Sequence, residues 1–93
     1  MPADLSGKRI IVTGAATGIG RSTAMRISAN GAKVAAFDVN DDDGAATISD
    51  INESGGDARY WHVDVRDETA VSGAVTAAET WLGGVDVLIH VAG

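Results

Sequence analysis

The sequence predicts an α/β fold built on a doubly wound parallel sheet, and two observations support this class. Short apolar runs alternate with helical patterns along the 93-residue chain, which gives the order βαβαβαβ. The composition is that of an ordinary globular domain, with 45% hydrophobic and 22% charged residues. Strands that are joined through helices lie parallel, and right-handed crossovers place the helices on both faces of the sheet. The expected strand order is 3-2-1-4.

The first half of the chain contains two predicted strands and one predicted helix. Lys8–Thr13 is predicted as the first strand, Ile19–Asn30 as the first helix and Lys33–Asp38 as the second strand. The glycine at position 31 follows the helix directly and is typical of a helix end. One face of the helix is predicted to consist of Ile19, Thr23, Ala24 and Ile27.

The second half repeats the alternation twice. The second helix is predicted over Asp42–Ser54, the third strand over Ala58–Val63 and the fourth strand over Val85–Val91. The third helix is predicted to start after Asp67 as its N-cap and to end at Leu82. Its apolar residues recur at helical spacing: Val71, Ala74, Val75, Ala78 and Leu82. We expect the sheet to be incomplete at the edge of the fourth strand, because helices normally cover both faces of a parallel sheet.

Three glycines, Gly14, Gly18 and Gly20, lie at the turn between the first strand and the first helix. Glycine lets the backbone turn sharply and approach an anion closely. The free N–H groups and the positive dipole at the helix start then favour that anion. The turn therefore predicts a phosphate-binding site in a Rossmann-type sheet.

Other polar residues follow the strands at the same edge of the predicted sheet. Asp38 ends the second strand, 18 residues after Gly20, a distance that suits a carboxylate that binds the adenosine ribose. Its negative charge would repel a 2′-phosphate, and no Arg or Lys stands at positions 15–17 or 39–40 to counter it. The sequence therefore predicts NAD rather than NADP. Asp64, after the third strand, could accept a hydrogen bond from the adenine amino group or simply precede the third helix.

Composition argues against several other classes. The net charge is −6, with 7 basic and 13 acidic residues, which disfavours nucleic-acid binding. The acids at positions 41–43 are interpreted as a solvated helix start. There are no cysteines, and His62 and His90 lie on separate predicted strands, so no metal site is predicted. No signal peptide or membrane-length apolar run is visible, and a cytoplasmic protein is expected.

Trp61 and Trp81 are predicted to be packing residues. Arg21, in the first turn of the first helix, is predicted to be solvated rather than bound to a phosphate.

Together these motifs resemble the short-chain dehydrogenase/reductase family, and the resemblance covers the whole chain. The elements that carry it are Thr13-Gly14-x-x-x-Gly18-Ile19-Gly20, Asp38, Asp64-Val65 and Val85-Asp86-Val87-Leu88-Ile89-x-x-Ala92-Gly93. It implies an NAD(H)-dependent oxidoreductase that acts on a small alcohol or ketone. Residues 1–93 would be the NAD-binding, N-terminal portion of a longer single-domain enzyme, which as a full-length protein would form a homo-dimer or homo-tetramer.

The resemblance also implies roles for individual residues. The pyrophosphate would be held by the glycine turn, namely Gly14, Thr17, Gly18, Ile19 and Gly20. Asp38 would bind the adenosine ribose and select NAD, and Asp64 and Val65 would contact the adenine. Ala92 and Gly93 would lie against the cofactor ribose, and Thr13 would tie the glycine turn to the fourth strand.

The chain departs from the family pattern in two places. His90-Val91-Ala92-Gly93 replaces the common Asn-Asn-Ala-Gly. The family's catalytic Asn, Ser and Tyr-x-x-x-Lys lie beyond the Ala-Gly motif, so no catalytic residue is assigned. Two alternatives stay open: a stand-alone nucleotide-binding module without chemistry, and an S-adenosylmethionine-dependent methyltransferase, whose glycine turn usually has tighter spacing.

Overall fold

The computed structural model describes residues 4–91, and they form alternating strands and helices. The elements in chain order are β1 (Arg9–Thr13), α1 (Gly18–Ala29), β2 (Lys33–Asp38), α2 (Asp41–Glu53), β3 (Asp57–His62), α3 (Glu68–Leu82) and β4 (Val87–His90). The four strands pair in parallel in the order β3-β2-β1-β4. The predicted fold class and strand order are confirmed.

The predicted bounds of β2 agree with the structure, and most others differ by one residue. The fourth strand is the exception, because it begins at Val87 instead of Val85. Asp86 lies just before this strand. Its carboxylate accepts a hydrogen bond from the backbone N–H of Arg9, and its own backbone N–H donates to the Arg9 carbonyl. Asp86 thus pairs with the first residue of β1, and the regular strand begins one residue later, at Val87.

Each face of the sheet carries its own hydrophobic cluster, because successive strand residues point to opposite faces. One cluster joins the sheet to α1 and α2, and its members include Ile10, Val12, Val34, Ala36, Ala24 and Ile51. The other joins the sheet to α3, and its members are Ile11, Ala35, Phe37, Val63, Ala78 and Leu82. The helices therefore cover both faces, as a doubly wound sheet requires.

The two tryptophans pack against the second cluster, as predicted. The rings of Phe37 and Trp61 meet edge to face with their centroids 6.0 Å apart, and those of Trp61 and Trp81 are 5.8 Å apart. Lys33 lies over the Trp81 ring and donates to the Trp81 carbonyl at 3.0 Å. This aromatic layer belongs to the face of the sheet that α3 covers.

The strand β4 lies at one edge of the described sheet, and its side chains are less covered than those of the central strands. Val87 and Leu88 are 43% and 54% exposed. Within residues 4–91, no helix is long and apolar enough to cross a membrane.

Candidate functional site

A cleft of about 630 Å³ opens at the carboxyl ends of the strands. Seven of the predicted cofactor-binding residues line it: Gly14, Thr17, Gly18, Ile19, Asp38, Asp64 and Val65. Gly20 lies behind the cleft wall, where α1 meets the glycine turn. Ala92 and Gly93 lie outside the described residues. The structure therefore brings together side chains from three different turns, as expected for the switch point of an open parallel sheet.

The glycine turn packs so closely that side chains are excluded at two of its positions. A Cβ on Gly20 would overlap the Gly14 carbonyl oxygen, and a Cβ on Gly14 would lie 2.8 Å from the Val91 carbonyl oxygen. Gly18 differs, because no atom lies within 4 Å of the place where its Cβ would project. Gly18 also has a φ of +56°, which favours glycine. The turn thus holds the start of α1 against β1 and leaves open space at Gly18.

The N-terminus of α1 has neither a side-chain cap nor an acidic residue in its first turn. By contrast, Asn40 caps α2 and Asp67 caps α3, as predicted for Asp67, and acids occupy both first turns. The first N–H groups of a helix have no partner inside the helix. Together with the helix dipole they form a site for an anion. The open space at Gly18 gives a phosphate room to reach them.

The carboxylate of Asp38 reaches across to the glycine turn. Its Oδ2 accepts a hydrogen bond from the Ala16 backbone N–H at 2.9 Å. Its Oδ1 accepts from the N–H groups of Val39 and Asn40 at 2.7 and 3.1 Å. An ionised carboxylate offers about four acceptor positions. Asp38 is therefore held at the cleft wall and can still accept a hydroxyl group.

Asp64 is paired with a residue that the sequence analysis did not single out. Arg66 donates to Oδ1 of Asp64 through Nε at 3.1 Å and to Oδ2 through Nη2 at 3.0 Å. The side-chain and backbone hydrogen bonds from Arg66 lower the pKa of Asp64 to about 2. Arg66 also lines the cleft, so the site contains a cation next to its two acids. The Asp-x-Arg spacing was the available signal, since residues two apart in a turn after a strand can meet.

Replacing Arg66 by methionine is expected to raise the pKa of Asp64 from about 2 toward its ordinary value of 3.8, because the guanidinium favours the ionised form. Since folding depresses this pKa, ionised Asp64 stabilises the fold above about pH 4, and that contribution disappears as the pH falls toward 2. The measurement is a carbon-13 NMR titration of the Asp64 carboxyl. Asp86, which Arg9 holds at a pKa of about 2, is the internal control. An unchanged Asp64 pKa would contradict the pairing.

Three apolar side chains form an exposed rim around the cleft: Ile19, Val39 and Val65. They are 77%, 54% and 46% exposed, and each follows a different strand. Ile19, predicted to share a helix face with Ala24, lies at the start of the helix and is exposed, whereas Ala24 is fully buried. Exposed apolar groups in a cleft indicate a ligand with an apolar face.

Thr13 contacts the fourth strand, as the family resemblance implied. Its Oγ1 lies 2.8 Å from Nδ1 of His90, and the two residues are register partners in the sheet. The buried Thr13 hydroxyl and the His90 ring thereby join β1 to β4 directly below the glycine turn. His62 is engaged elsewhere, with its Nδ1 2.7 Å from Oδ1 of Asp41. Over residues 4–91 there is no cluster of three or more groups that could hold a metal.

Arg21 is neither free in solvent nor directed at the phosphate position, which corrects the prediction. It donates to the Thr47 hydroxyl at 3.0 Å and pairs with Asp50, both on α2. Thr47 is fully buried, and its Oγ1 lies 3.3 Å from the Ala16 carbonyl oxygen. The side chain of Arg21 therefore ties α1 to α2 behind the glycine turn. The sequence could not show this, because 26 residues separate Arg21 from Thr47.

The comparisons with known proteins identify the family. The sequence model of the short chain dehydrogenase family matches residues 8–93, and the chain belongs to this family. A 2,5-dichloro-2,5-cyclohexadiene-1,4-diol dehydrogenase of Sphingobium indicum is 44% identical over 84 residues, which are 90% of this chain and 32% of that protein. The chain spans about a third of the length of the curated relatives it matches.

Solved structures agree with this assignment. A hydroxysteroid dehydrogenase from Escherichia coli superposes with a TM-score of 0.93 at 36% identity, over 96% of this chain and 38% of that one. A short chain dehydrogenase/reductase from Burkholderia phymatum, solved in complex with NAD, has a TM-score of 0.88 at 28% identity. That match covers 92% of this chain and 31% of the other.

Proposed function

We propose that the protein is an NAD(H)-dependent oxidoreductase acting on a small alcohol or ketone, and that residues 1–93 form the NAD-binding portion of a longer single-domain enzyme. Family membership, the dehydrogenase names of the relatives and the NAD complex of one structural neighbour support this proposal. The single observation that carries it is the Asp38 carboxylate, held at the cleft wall by the Ala16 N–H of the glycine turn. This contact supports the proposal because it would put a phosphate site next to a ribose acceptor.

The glycine turn would hold the pyrophosphate. The uncapped first turn of α1 offers backbone donors, and the open space at Gly18 lets phosphate oxygens approach them. Thr17, Gly18 and Ile19 would contact the anion from the cleft side. Gly14 and Gly20 would act through close packing, which keeps the helix start in place.

The adenosine half would lie between the next two turns. Asp38 would accept a ribose hydroxyl, while the Asp64 carboxylate, held by Arg66, would accept the adenine amino group. Asp64 takes three hydrogen bonds from Arg66, which leaves about one of its four acceptor positions for that group. Val65 and the rest of the apolar rim would cover the faces of the base. The proposed contacts of Ala92 and Gly93 with the cofactor ribose stay predictions.

The bound cofactor would supply hydride transfer to or from the substrate carbon. The part of the chain described here would bind and orient it, and we assign no catalytic residue within it. Homo-oligomerisation of the full-length protein and a cytoplasmic location also stay predictions from the sequence.

NADH is expected to bind more tightly than NADPH. Asp38→Ala is expected to reduce the ratio of the NADPH to the NADH dissociation constant by about tenfold or more. The carboxylate would accept a ribose hydroxyl, with a charge-assisted hydrogen bond of about 1.5–3 kcal/mol, and would repel a 2′-phosphate. The measurement is fluorescence titration of the full gene product with both dinucleotides.

Asp42→Ala is the matched control, because it removes the same charge from an exposed position in the first turn of α2. It should leave the ratio unchanged. Equal affinities of the unmodified protein for NADH and NADPH would refute the role of Asp38. Binding of NADH by a full gene product that oxidises no alcohol would favour a non-catalytic nucleotide-binding module, and preferential binding of S-adenosylmethionine would favour a methyltransferase.

A further inference from the structure

The turn that carries Asp38 is held from the β3 side by the hydroxyl of Tyr60. This oxygen lies 2.8 Å from the backbone carbonyl oxygen of Asp38 and 2.6 Å from Oδ1 of Asp41. A tyrosine hydroxyl has one proton, so these two acceptors, at opposite ends of the same short turn, share a single donor. Burial, followed by the hydrogen bond to Asp41, raises the pKa of Tyr60, so the hydroxyl stays a donor across the physiological range.

Two neighbours fix this arrangement. The Tyr60 ring packs against Gly44 of α2, where an added Cβ would overlap the ring. His62 lies two residues further along β3, and its Nδ1 is 2.7 Å from the same Oδ1 of Asp41. Because an ionised carboxylate only accepts, both Tyr60 and His62 donate to Asp41. The start of α2 is thus bound to β3 through side chains.

The same turn is held from its other side by Asp38 itself, whose Oδ1 accepts the N–H groups of Val39 and Asn40. The backbone between Asp38 and Asp41 therefore has two sets of contacts, one from the Asp38 carboxylate and one from Tyr60. Loss of the hydroxyl would leave the Asp38 carbonyl and the Asp41 carboxylate without their common donor. The turn could then move, and the Asp38 carboxylate would move with it.

We propose that Tyr60 is a positioning residue that sets the preference for NAD over NADP by holding the Asp38 turn in place. The inference rests on the proposed function, since it assumes that Asp38 faces the adenosine ribose. A carboxylate that can swing away from the cleft binds the ribose less well and repels a 2′-phosphate less. Both effects act in the same direction on selectivity.

In the full gene product, Tyr60→Phe is expected to lower the ratio of the NADPH to the NADH dissociation constant by roughly threefold to tenfold. This change is smaller than that expected for Asp38→Ala, because the carboxylate is displaced and not removed. Asp38→Ala should abolish the effect, so that adding Tyr60→Phe to Asp38→Ala leaves the ratio where Asp38→Ala alone puts it. Gly44→Ala, which displaces the ring while keeping the hydroxyl, should lower the ratio as well.

Lys33→Gln is the control for lost stability, because it removes a hydrogen bond at the opposite end of β2. It should lower the melting temperature and leave the ratio unchanged. A Tyr60→Phe protein with lower stability but an unchanged ratio would show a purely structural role and overturn the proposal.

Amide hydrogen exchange separates this proposal from the proposed function. In Tyr60→Phe without cofactor, the Val39 and Asn40 amides should exchange faster than they do in the Lys33→Gln control. Core amides, such as that of Ala35, should exchange at similar rates in the two variants. Unchanged exchange at both turn amides would overturn the positioning role even if NADH selectivity were present. If the turn amides exchange faster in Tyr60→Phe but the parent protein does not prefer NADH, Tyr60 does position the turn and the proposed role of Asp38 is rejected.

Discussion

Gly20→Ala is expected to destabilise the protein by about 1–3 kcal/mol or more and to weaken NADH binding at least about tenfold. A methyl group at this position would overlap the carbonyl oxygen of Gly14, which is backbone and cannot rotate away. The start of α1 would have to shift away from the glycine turn. Its N-terminal donors would then leave the position in which they meet the pyrophosphate. Chemical denaturation and NADH titration of the variant measure the two effects.

Gly73→Ala is the matched control, because it makes the same substitution inside another helix. No atom lies within 4 Å of the position where its Cβ would be, so only helix propensity changes. This variant is expected to be more stable by about 1 kcal/mol and to bind NADH normally. If Gly20→Ala resembled Gly73→Ala in both measurements, the close packing of α1 against the glycine turn would not exist in solution.

Phe37→Ala is expected to destabilise the protein by about 3–5 kcal/mol, because the ring is fully buried and its removal leaves a cavity that the surrounding side chains cannot fill. This loss is a large part of the 5–15 kcal/mol that stabilises a typical domain. The carbonyl oxygen of Phe37 also accepts the backbone N–H groups of Gly14 and Ala15, at 2.8 and 3.3 Å. We therefore expect weaker NADH binding even at a temperature where the variant is folded.

Phe37→Leu tests whether the volume filled by the side chain accounts for this stability, since leucine keeps most of the apolar contact but loses the edge-to-face contact with Trp61. Its free energy of unfolding in denaturant should lie between those of the parent protein and Phe37→Ala. A loss of less than about 1 kcal/mol for Phe37→Ala would mean that the site collapses around the missing ring, contrary to the close packing of this cluster.

The element order of this protein was predictable because each strand and helix has a local pattern. The bounds of β2 and the cap at Asp67 follow from the adjoining residues alone. Local patterns failed at the fourth strand, where the ladder begins at Val87 and the side chain of Asp86 binds Arg9. That contact joins residues 77 positions apart, so no local apolar pattern can predict it.

The candidate site also has one part that local sequence patterns predict and another that depends on contacts between distant residues. The glycine turn and the strand-end acids could be assigned from sequence alone, because parallel strands must bring their carboxyl ends to one edge of the sheet. The side chains that hold this edge became visible in the folded chain: Tyr60 at the Asp38 turn, Arg66 at Asp64, and Arg21, which joins α1 to Thr47 of α2. The difference lies in how far each kind of contact extends along the chain. A backbone turn is set by its own residues, whereas a long polar side chain takes whichever partner the packed helices and strands place within hydrogen-bonding distance.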